Sequence, residues 1–442
     1  DPGTRVRILC NRAARGLGVR GARRGHEREA LPHFERALEA AERSGDLAAK
    51  AEALQSLAVT ESRLKLTRAV QHAEAAIPMF EQLGREKDVA KCLLPVQSIH
   101  RESHDIEASR RTLDRIIRRA TSDGNLDLHR LGLERLGTLE LDSGRLDLAV
   151  ALFAEALQAA QCLGDQRDAS RERSFLAETL IDCGRPAEAT AVLRLTLAED
   201  SSLAEPDTRE VARVMLARAL MESDGSGIVE IRSLLETALT GIRTRGMTRP
   251  LLTALASEAE RRSAEGCAEP VEPVWEEFEQ VSWGAEIEPP PDTRARALLA
   301  YATSLLSRGR LDEAKSHVSS AVSLATKADL PAWAARAEAL RARILRREGH
   351  SEEADRAMGR ARNLLQEAAS RIEDPAIRKD FLARSVFREI REAESAKFAS
   401  ADRRLVALYD MIRALNSETD PEALLETSLD LALGVVEAER GM

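Results

Sequence analysis

The stretch that decides the fold is GTLELDSGRLDLAVALFAEAL, residues 137–157. Gly137 is a small residue seven positions before the helix-breaking Gly144, and Ala149 follows five positions after the break. On a helix that starts after Gly144, Ala149 and Phe153 share one face, because residues four apart lie side by side. The pattern predicts two antiparallel helices in contact at small residues, with Phe153 filling the space toward the next pair.

The same spacing recurs nine times along the chain, with a step of about 40 residues. A fixed period of that size is typical of a solenoid, in which each unit buries its apolar face against its neighbours. We therefore expect an all-α fold, an α–α superhelical solenoid of about nine antiparallel helix pairs. The clear breaks are Gly25, Gly144, Gly184, Gly309 and Gly349, and the weaker ones lie near Lys65, His104, Gly227 and Gly266.

The order small residue, break, Ala, Phe, Ala resembles the tetratricopeptide repeat over residues 1–375. The step exceeds the 34 residues usual in that family, and the second helix runs on to a later glycine such as Gly45 or Gly84 instead of ending at a proline. Longer helices with the same offsets resemble the extended repeats of bacterial signalling and transcription-regulator proteins. A HEAT-type solenoid, which has this period without these small residues, is the alternative.

Composition restricts the class of partner. The chain of 442 residues has a formal charge of −9 and a pI near 5.6. This balance argues against direct nucleic-acid binding, which needs a positive field. Eight arginines and one acid lie between Arg5 and Arg28, either as a solvated face of the first helix pair or as a docking patch for an acidic partner.

The cysteines and the apolar runs indicate a cytoplasmic location. Five cysteines without a close pair are typical of reduced thiols. No apolar run approaches the length needed to span a bilayer, and the first residues carry no secretory signal, so we expect no membrane contact. The chain does not begin with Met, and we expect it to be a piece of a longer protein.

The period fails in two places. A proline-rich, acidic stretch at 285–292 cannot continue a helix and predicts a bend in the array. Beyond Arg371 the repeat stops, and residues 376–400 are expected to form a capping helix and a linker.

The last segment, residues 401–442, has a different character. Its Asn416-Ser417 turn, its Asp420-Pro421-Glu422 helix start and its Ala438-Glu439-Arg440-Gly441 ending resemble the opening of a GAF domain. The resemblance implies a signalling helix followed by a truncated GAF-like domain. Apolar residues at 3-4-3-4-3 spacing over 398–415 suit either a coiled-coil homodimer seam or one amphipathic helix packed on its neighbour.

No motif indicates catalysis. The chain has no phosphate-binding loop and no H-E-x-x-H sequence. His100 and His104 are four apart and could share a helix face, but no third ligand accompanies them. We expect no catalytic, cofactor-binding or metal-binding residues and assign the chain no enzymatic activity.

The expected function is therefore binding. In tetratricopeptide proteins the first helix of each pair lines a concave groove. The resemblance therefore implies that arginines at the groove-lining positions, counted from the small residue of each first helix, face a protein or peptide partner. Acidic residues on the middle first helices, Glu134, Asp142, Glu178 and Asp182, make the groove mixed in charge. An acidic peptide is one expected ligand. The candidate partner-binding residues are Arg336, Arg343, Arg346 and Arg347 and, near the amino terminus, Arg12, Arg15 and Arg23.

Three functional hypotheses remain at this stage. The leading one is a non-enzymatic interaction scaffold within a multidomain bacterial signal-transduction or transcription regulator. The alternative is a helical repeat that senses a small-molecule inducer of a transcription activator and closes around it in a dry pocket. An unrecognised enzyme is the third.

Overall fold

A computed structural model describes residues 25–103, 105–198, 206–223, 227–265, 269–284 and 288–393, and over these ranges the chain is helical without strands. A short 3₁₀ turn, Ser385–Phe387, follows the last complete helix. The helices are α1 Gly25–Ser44, α2 Leu47–Arg63, α3 Arg68–Gln82, α4 Glu86–Glu102, α5 Ile106–Ser122, α6 Leu126–Asp142, α7 Leu146–Leu163, α8 Gln166–Asp182, α9 Pro186–Ala198, α10 Pro206–Glu222, α11 Ile228–Arg245, α12 Thr248–Ala264, α13 Glu272–Gly284, α14 Pro291–Ser307, α15 Leu311–Lys327, α16 Pro331–Arg347, α17 Ser351–Ser370 and α18 Pro375–Ala383.

Consecutive helices form pairs, as the 40-residue step predicts. The even-numbered helices from α2 to α16 are the first helices of eight pairs, and each is followed by its second helix, α3 to α17. Helix α1 precedes these pairs and, by the order of the repeat, occupies the position of a second helix. The all-α solenoid of about nine pairs is confirmed.

The breaks between helices have the expected backbone geometry. Gly144 has a φ of 75°, in the left-handed region that glycine enters without a steric cost. Lys65, the residue at a weaker break, has a φ of 58°. A non-glycine residue there is uncommon, which explains why this repeat matches the pattern less well.

The contact between α6 and α7 shows why the small residues are needed. A Cβ atom added at Gly137 would lie 2.9 Å from Cε1 of Phe153, closer than packed carbon atoms approach each other. Phe153 is buried completely, as is Ala149, and its ring stacks on Phe175 of the next pair at 5.3 Å between centroids. The predicted close approach within the pair and the predicted filling toward the next pair are both present.

The chain divides into two compact units. Unit 1 contains residues up to Ala254 together with Arg371–Phe381, and unit 2 contains Leu255–Ser370 and the residues from Leu382 onward. In the predicted bend region α13 ends at Gly284 and α14 begins at Pro291. The bend itself stays a prediction, and residues 401–442 lie outside the described part of the chain.

Within unit 1, residues 371–381 attach to the ends of two repeats. The Asp147 carboxylate at the start of α7 accepts hydrogen bonds from the backbone N–H groups of Glu373 and Asp374, each at 2.9 Å. Arg185, just before α9, donates to Asp380 at 2.8 Å. These charge-assisted contacts join segments more than 190 positions apart in sequence, so α18, which opens the predicted cap over 376–400, is held in unit 1 by its first residues.

Helix α7 is the one described helix that is long and apolar enough to be compared with a membrane span. Its stripe of buried residues, which includes Ala149, Phe153 and Ala156, packs against α6 and α8. The solenoid therefore accounts for the apolar character of this helix.

Candidate functional site

Buried charge is confined to the first helices. All ten charged side chains that are buried among the described residues lie on α2, α6, α8, α10, α12, α14 and α16. A buried charge is costly unless it is paired, so each first helix must present partners to its neighbours. The residues are Glu61, Arg130, Glu140, Glu172, Glu210, Arg218, Glu258, Arg261, Arg296 and Glu338.

The first helices of unit 1 also present a partly exposed polar stripe, which we name the first-helix face. Apart from the adjacent Glu134 and Arg135, its members recur three or four positions apart along each helix, which places them on one side of the helix. The stripes of neighbouring first helices lie next to each other, as the ion pairs below demonstrate. The first-helix face consists of Ser98 and Arg101 on α4, of Glu134, Arg135, Thr138 and Asp142 on α6, and of Arg171, Ser174, Glu178 and Asp182 on α8.

Ion pairs connect one repeat to the next across this face. Arg101 donates to Asp142 at 2.8 Å, and Arg171 donates to Glu134 at 2.9 Å. The series continues to α10, whose buried Arg218 donates to Glu178 at 2.9 Å. Because the pairs link residues about one period apart, they fix the register between successive helix pairs.

Asp182 lies 3.9 Å from the same Arg218 guanidinium. Glu134, Asp142, Glu178 and Asp182 thus all lie beside arginines of a neighbouring first helix. The first-helix face therefore carries charges of both signs, and its acidic members are engaged within the chain; the groove itself stays a prediction.

A buried node lies at one edge of the first-helix face. Arg130 donates from Nη1 to Glu134 at 3.0 Å and to Glu172 at 2.8 Å, and its Nη2 lies 2.8 Å from Asp168. Burial raises the pKa of the Glu172 carboxyl to about 8, and the adjacent Glu134 acts in the same direction. Both effects favour the protonated form of Glu172.

Arg135 differs from the other arginines of the face. Its Nη1 donates to the side-chain oxygen of Gln97 at 2.9 Å and to the Ser98 hydroxyl at 3.4 Å. Burial lowers the pKa of its guanidinium, and although Glu134 opposes this effect, Arg101 reinforces it. Arg135 is still a cation at any physiological pH, and the two groups that hold it are neutral.

In unit 2 the predicted binding residue Arg336 has a carboxylate partner inside the chain. Its Nη2 donates to Glu260 at 2.8 Å, and Arg296 donates to the other oxygen of the same carboxylate at 2.6 Å. Both guanidiniums also lie over the ring of Trp333, at 4.3 Å for Arg336 and 4.9 Å for Arg296. Burial alone would raise the pKa of Glu260, but the two cations hold it far below its ordinary range.

The other predicted arginines of α16 are exposed. Arg343 and Arg346 lie 4.0 Å and 3.7 Å from Glu389, respectively. Arg347 donates to the backbone carbonyl of Leu306 at 3.0 Å. Their role in partner binding stays a prediction. Arg12, Arg15 and Arg23 lie outside the described residues.

Sequence reasoning missed Gln97 and Arg135. Gln97 is buried among the apolar residues of α4. In the sequence alone, a single polar residue at such a position gives no sign of a binding role. Arg135 occurs two positions before Gly137 in a helix that also carries Arg130 and Glu134. The offset between repeats was the available signal, because Gln97 and Arg135 are 38 positions apart and so occupy nearly equivalent positions of adjacent repeats.

Over the described residues the chain contains no cluster of three or more His, Cys, Asp or Glu side chains that could hold a metal ion. His100 is on α4, and His104 falls outside the described residues. Cys92 is buried, and burial raises the pKa of its thiol to about 11, so this cysteine is protonated and unreactive at neutral pH.

Comparison with known proteins agrees with the fold. No protein-family model and no curated protein matches the chain. Among solved structures it is similar to a Rap protein complexed with Competence and Sporulation Factor, with 12% identity, a TM-score of 0.57, and coverage of 84% of this chain and 99% of that one. At this identity the likeness shows a tetratricopeptide-like helical repeat and does not identify a ligand.

Two further structures have lower scores. The apo form of RapI has 12% identity and a TM-score of 0.47, with 70% of this chain and 99% of that chain covered. A Signal Transduction ATPase with Numerous Domains from Pyrococcus horikoshii, which carries a tetratricopeptide repeat sensor, has 12% identity and a TM-score of 0.47, with coverage of 80% and 54%.

Proposed function

We propose that the chain is a non-enzymatic scaffold that binds a protein or peptide partner on the first-helix face of unit 1. The observation that supports this most is the continuity of that face. Polar and charged side chains of α4, α6 and α8 lie beside each other and are tied by ion pairs between repeats. A surface already fixed in register can offer a peptide hydrogen-bond partners at low ordering cost.

The wider setting is also part of the proposal. The resemblances found in the sequence support a regulatory segment of a multidomain bacterial signal-transduction or transcription regulator that acts in the cytoplasm. A GAF-like domain would begin within 401–442, and a homodimer would form through 398–415. The Rap protein named above was solved with a factor bound, and a bound peptide or protein is the kind of ligand that we propose here.

The test is a selection of random twelve-residue peptides on the purified chain, followed by fluorescence anisotropy with the selected peptides. We expect peptides that bind the unaltered chain and lose affinity about tenfold or more when Thr138→Lys changes the first-helix face. The matched control is Glu155→Lys on the second helix α7, where Glu155 is exposed. Peptides that respond equally to both substitutions would place the binding surface elsewhere.

A library of small metabolites screened by the melting temperature of the chain tests the inducer-sensor alternative. If a metabolite raises the melting temperature and the selection enriches no peptide, the scaffold hypothesis is wrong and the small-molecule sensor takes its place.

A further inference from the structure

The Arg135 guanidinium uses only one of its three nitrogens for hydrogen bonds within the described part of the chain. Its two hydrogen bonds both come from Nη1 and go to Gln97 and Ser98. Nε and Nη2 make no hydrogen bond to any residue in the described ranges. A guanidinium has five N–H donors in a fixed fork, and two parallel donors match the two oxygens of a carboxylate.

The side chain is also held in place from behind. Gln97 is 3% exposed, and its amide nitrogen donates to the hydroxyl of the fully buried Ser109 at 3.2 Å. This contact turns the Gln97 oxygen toward Arg135. The relay from Ser109 through Gln97 to Arg135 spans α5, α4 and α6, so helix packing fixes the guanidinium before any ligand arrives.

The carboxylates of the first-helix face nearest to Arg135 accept hydrogen bonds from other arginines. Glu134 accepts from Arg171 and from Arg130, and Asp142 accepts from Arg101. Arg101 carries a second positive charge close enough to act on Arg135. Glu134 acts on Arg135 through its charge, but among the described residues no carboxylate oxygen accepts a hydrogen bond from Arg135, whose partners are Gln97 and Ser98.

A half-buried guanidinium whose hydrogen-bond partners are neutral has lost part of its hydration without gaining a hydrogen-bonded carboxylate, and this arrangement costs stability. An incoming carboxylate would restore the lost interaction. We propose that Arg135 is the anchor of the first-helix face for an Asp or Glu side chain of the bound peptide, with Gln97 as its positioning residue. The inference rests on the proposed function and names the chemistry of its ligand.

The experiment selects random twelve-residue peptides fused through their carboxyl ends, so that only side-chain carboxylates are offered. Four proteins are compared: the unaltered chain, Arg135→Gln, Gln97→Glu, and Arg118→Gln as the control. Arg118 is exposed on the second helix α5. Gln97→Glu keeps Arg135 but gives it a carboxylate of its own at the same position. Circular dichroism spectra and melting curves establish that all four are folded.

We expect the unaltered chain and Arg118→Gln to enrich peptides with Asp or Glu at one fixed position. Arg135→Gln and Gln97→Glu should lose that preference, and they should bind the selected acidic peptide about tenfold or more weakly. Enriched peptides without an acidic position, or an acidic position that survives in Arg135→Gln, would overturn the anchor and leave the scaffold standing. If no protein enriches any peptide, the proposed function itself fails and the anchor fails with it.

Discussion

Arg135 in unit 1 and Arg336 in unit 2 are both half-buried arginines on first helices, yet their surroundings differ. Arg336 shares the Glu260 carboxylate with Arg296 and lies over Trp333, whereas Arg135 is held by an amide oxygen and a hydroxyl. The difference teaches that the position of an arginine on a first helix does not decide its role. What decides it is whether the chain supplies the carboxylate.

The largest expected effect is at Glu260, the shared carboxylate. Glu260→Gln leaves Arg296 and Arg336 close together without their counterion, and removing one member of a buried ion pair is strongly destabilising. We expect the free energy of unfolding, measured by urea denaturation, to fall by about 3 kcal/mol. Glu313→Gln, which removes the exposed partner of Arg310, is the control and should leave the unfolding midpoint unchanged. A loss at Glu260 no greater than in this control would refute the structural role of the shared carboxylate.

The next effect concerns Glu172, which together with Glu134 and Asp168 surrounds Arg130 on the same helix as Arg135. Its pKa of about 8 in the folded chain lies above the ordinary value of about 4.3 in the unfolded chain. The contribution of Glu172 to the free energy of unfolding is therefore fully present below about pH 4.3 and is lost as the pH rises through about 8.

Glu172→Gln removes this loss, because the amide stays neutral and can still accept from Arg130. We expect the variant to be more stable than the unaltered chain at pH 8.5 and equal to it at pH 4.5. The measurement is a series of melting curves between these pH values. A stability difference that does not change with pH would show that Glu172 is ionised throughout.

A smaller effect separates the two compared arginines directly. Arg336→Met removes one guanidinium from Glu260 and from the Trp333 ring, and should lower the free energy of unfolding by about 1–2 kcal/mol. Arg135→Met removes a charge that has no hydrogen-bonded carboxylate, and should change stability by less than about 0.5 kcal/mol or increase it. Equal losses in urea denaturation would remove the distinction between the two sites.

The smallest effect comes from converting one environment into the other. Gln97→Glu places a carboxylate against Arg135, as Glu260 is placed against Arg336, and should raise the free energy of unfolding by about 0.5–1 kcal/mol at pH 7. The gain should disappear at pH 3, where the new carboxyl is protonated. A variant less stable than the unaltered chain at pH 7 would indicate that Arg135 does not need a counterion.

Much of the fold could be predicted from the sequence, because the same spacing of small residues and helix breaks recurs in each repeat. Gly137 and Ala149 predict a close contact between two helices. In the structure, the Phe153 ring occupies the space that a side chain at Gly137 would need. Backbone breaks such as Gly144 are equally local, since they depend on the φ of one residue.

The site could be predicted less well, because it depends on partners in other repeats. The repeat pattern identifies Arg336 as a candidate, but the carboxylate that pairs with it, Glu260, is 76 positions away. Arg135, in contrast, has no hydrogen-bonded carboxylate, because its partner 38 positions earlier is a glutamine. Spacing within one repeat predicts which face a residue occupies, and only the packed repeats reveal whether its charge is already matched.

The central claim is that Arg135 binds a carboxylate side chain of a peptide partner, and a double-mutant cycle on binding tests it most directly. Anisotropy would measure six affinities, for the unaltered chain, Arg135→Gln and the Arg118→Gln control, each with a selected acidic peptide and with its Asp→Asn or Glu→Gln counterpart. The account predicts a coupling free energy of about 1.5–3 kcal/mol between Arg135 and the acidic position. A coupling indistinguishable from that of the Arg118→Gln control would contradict it.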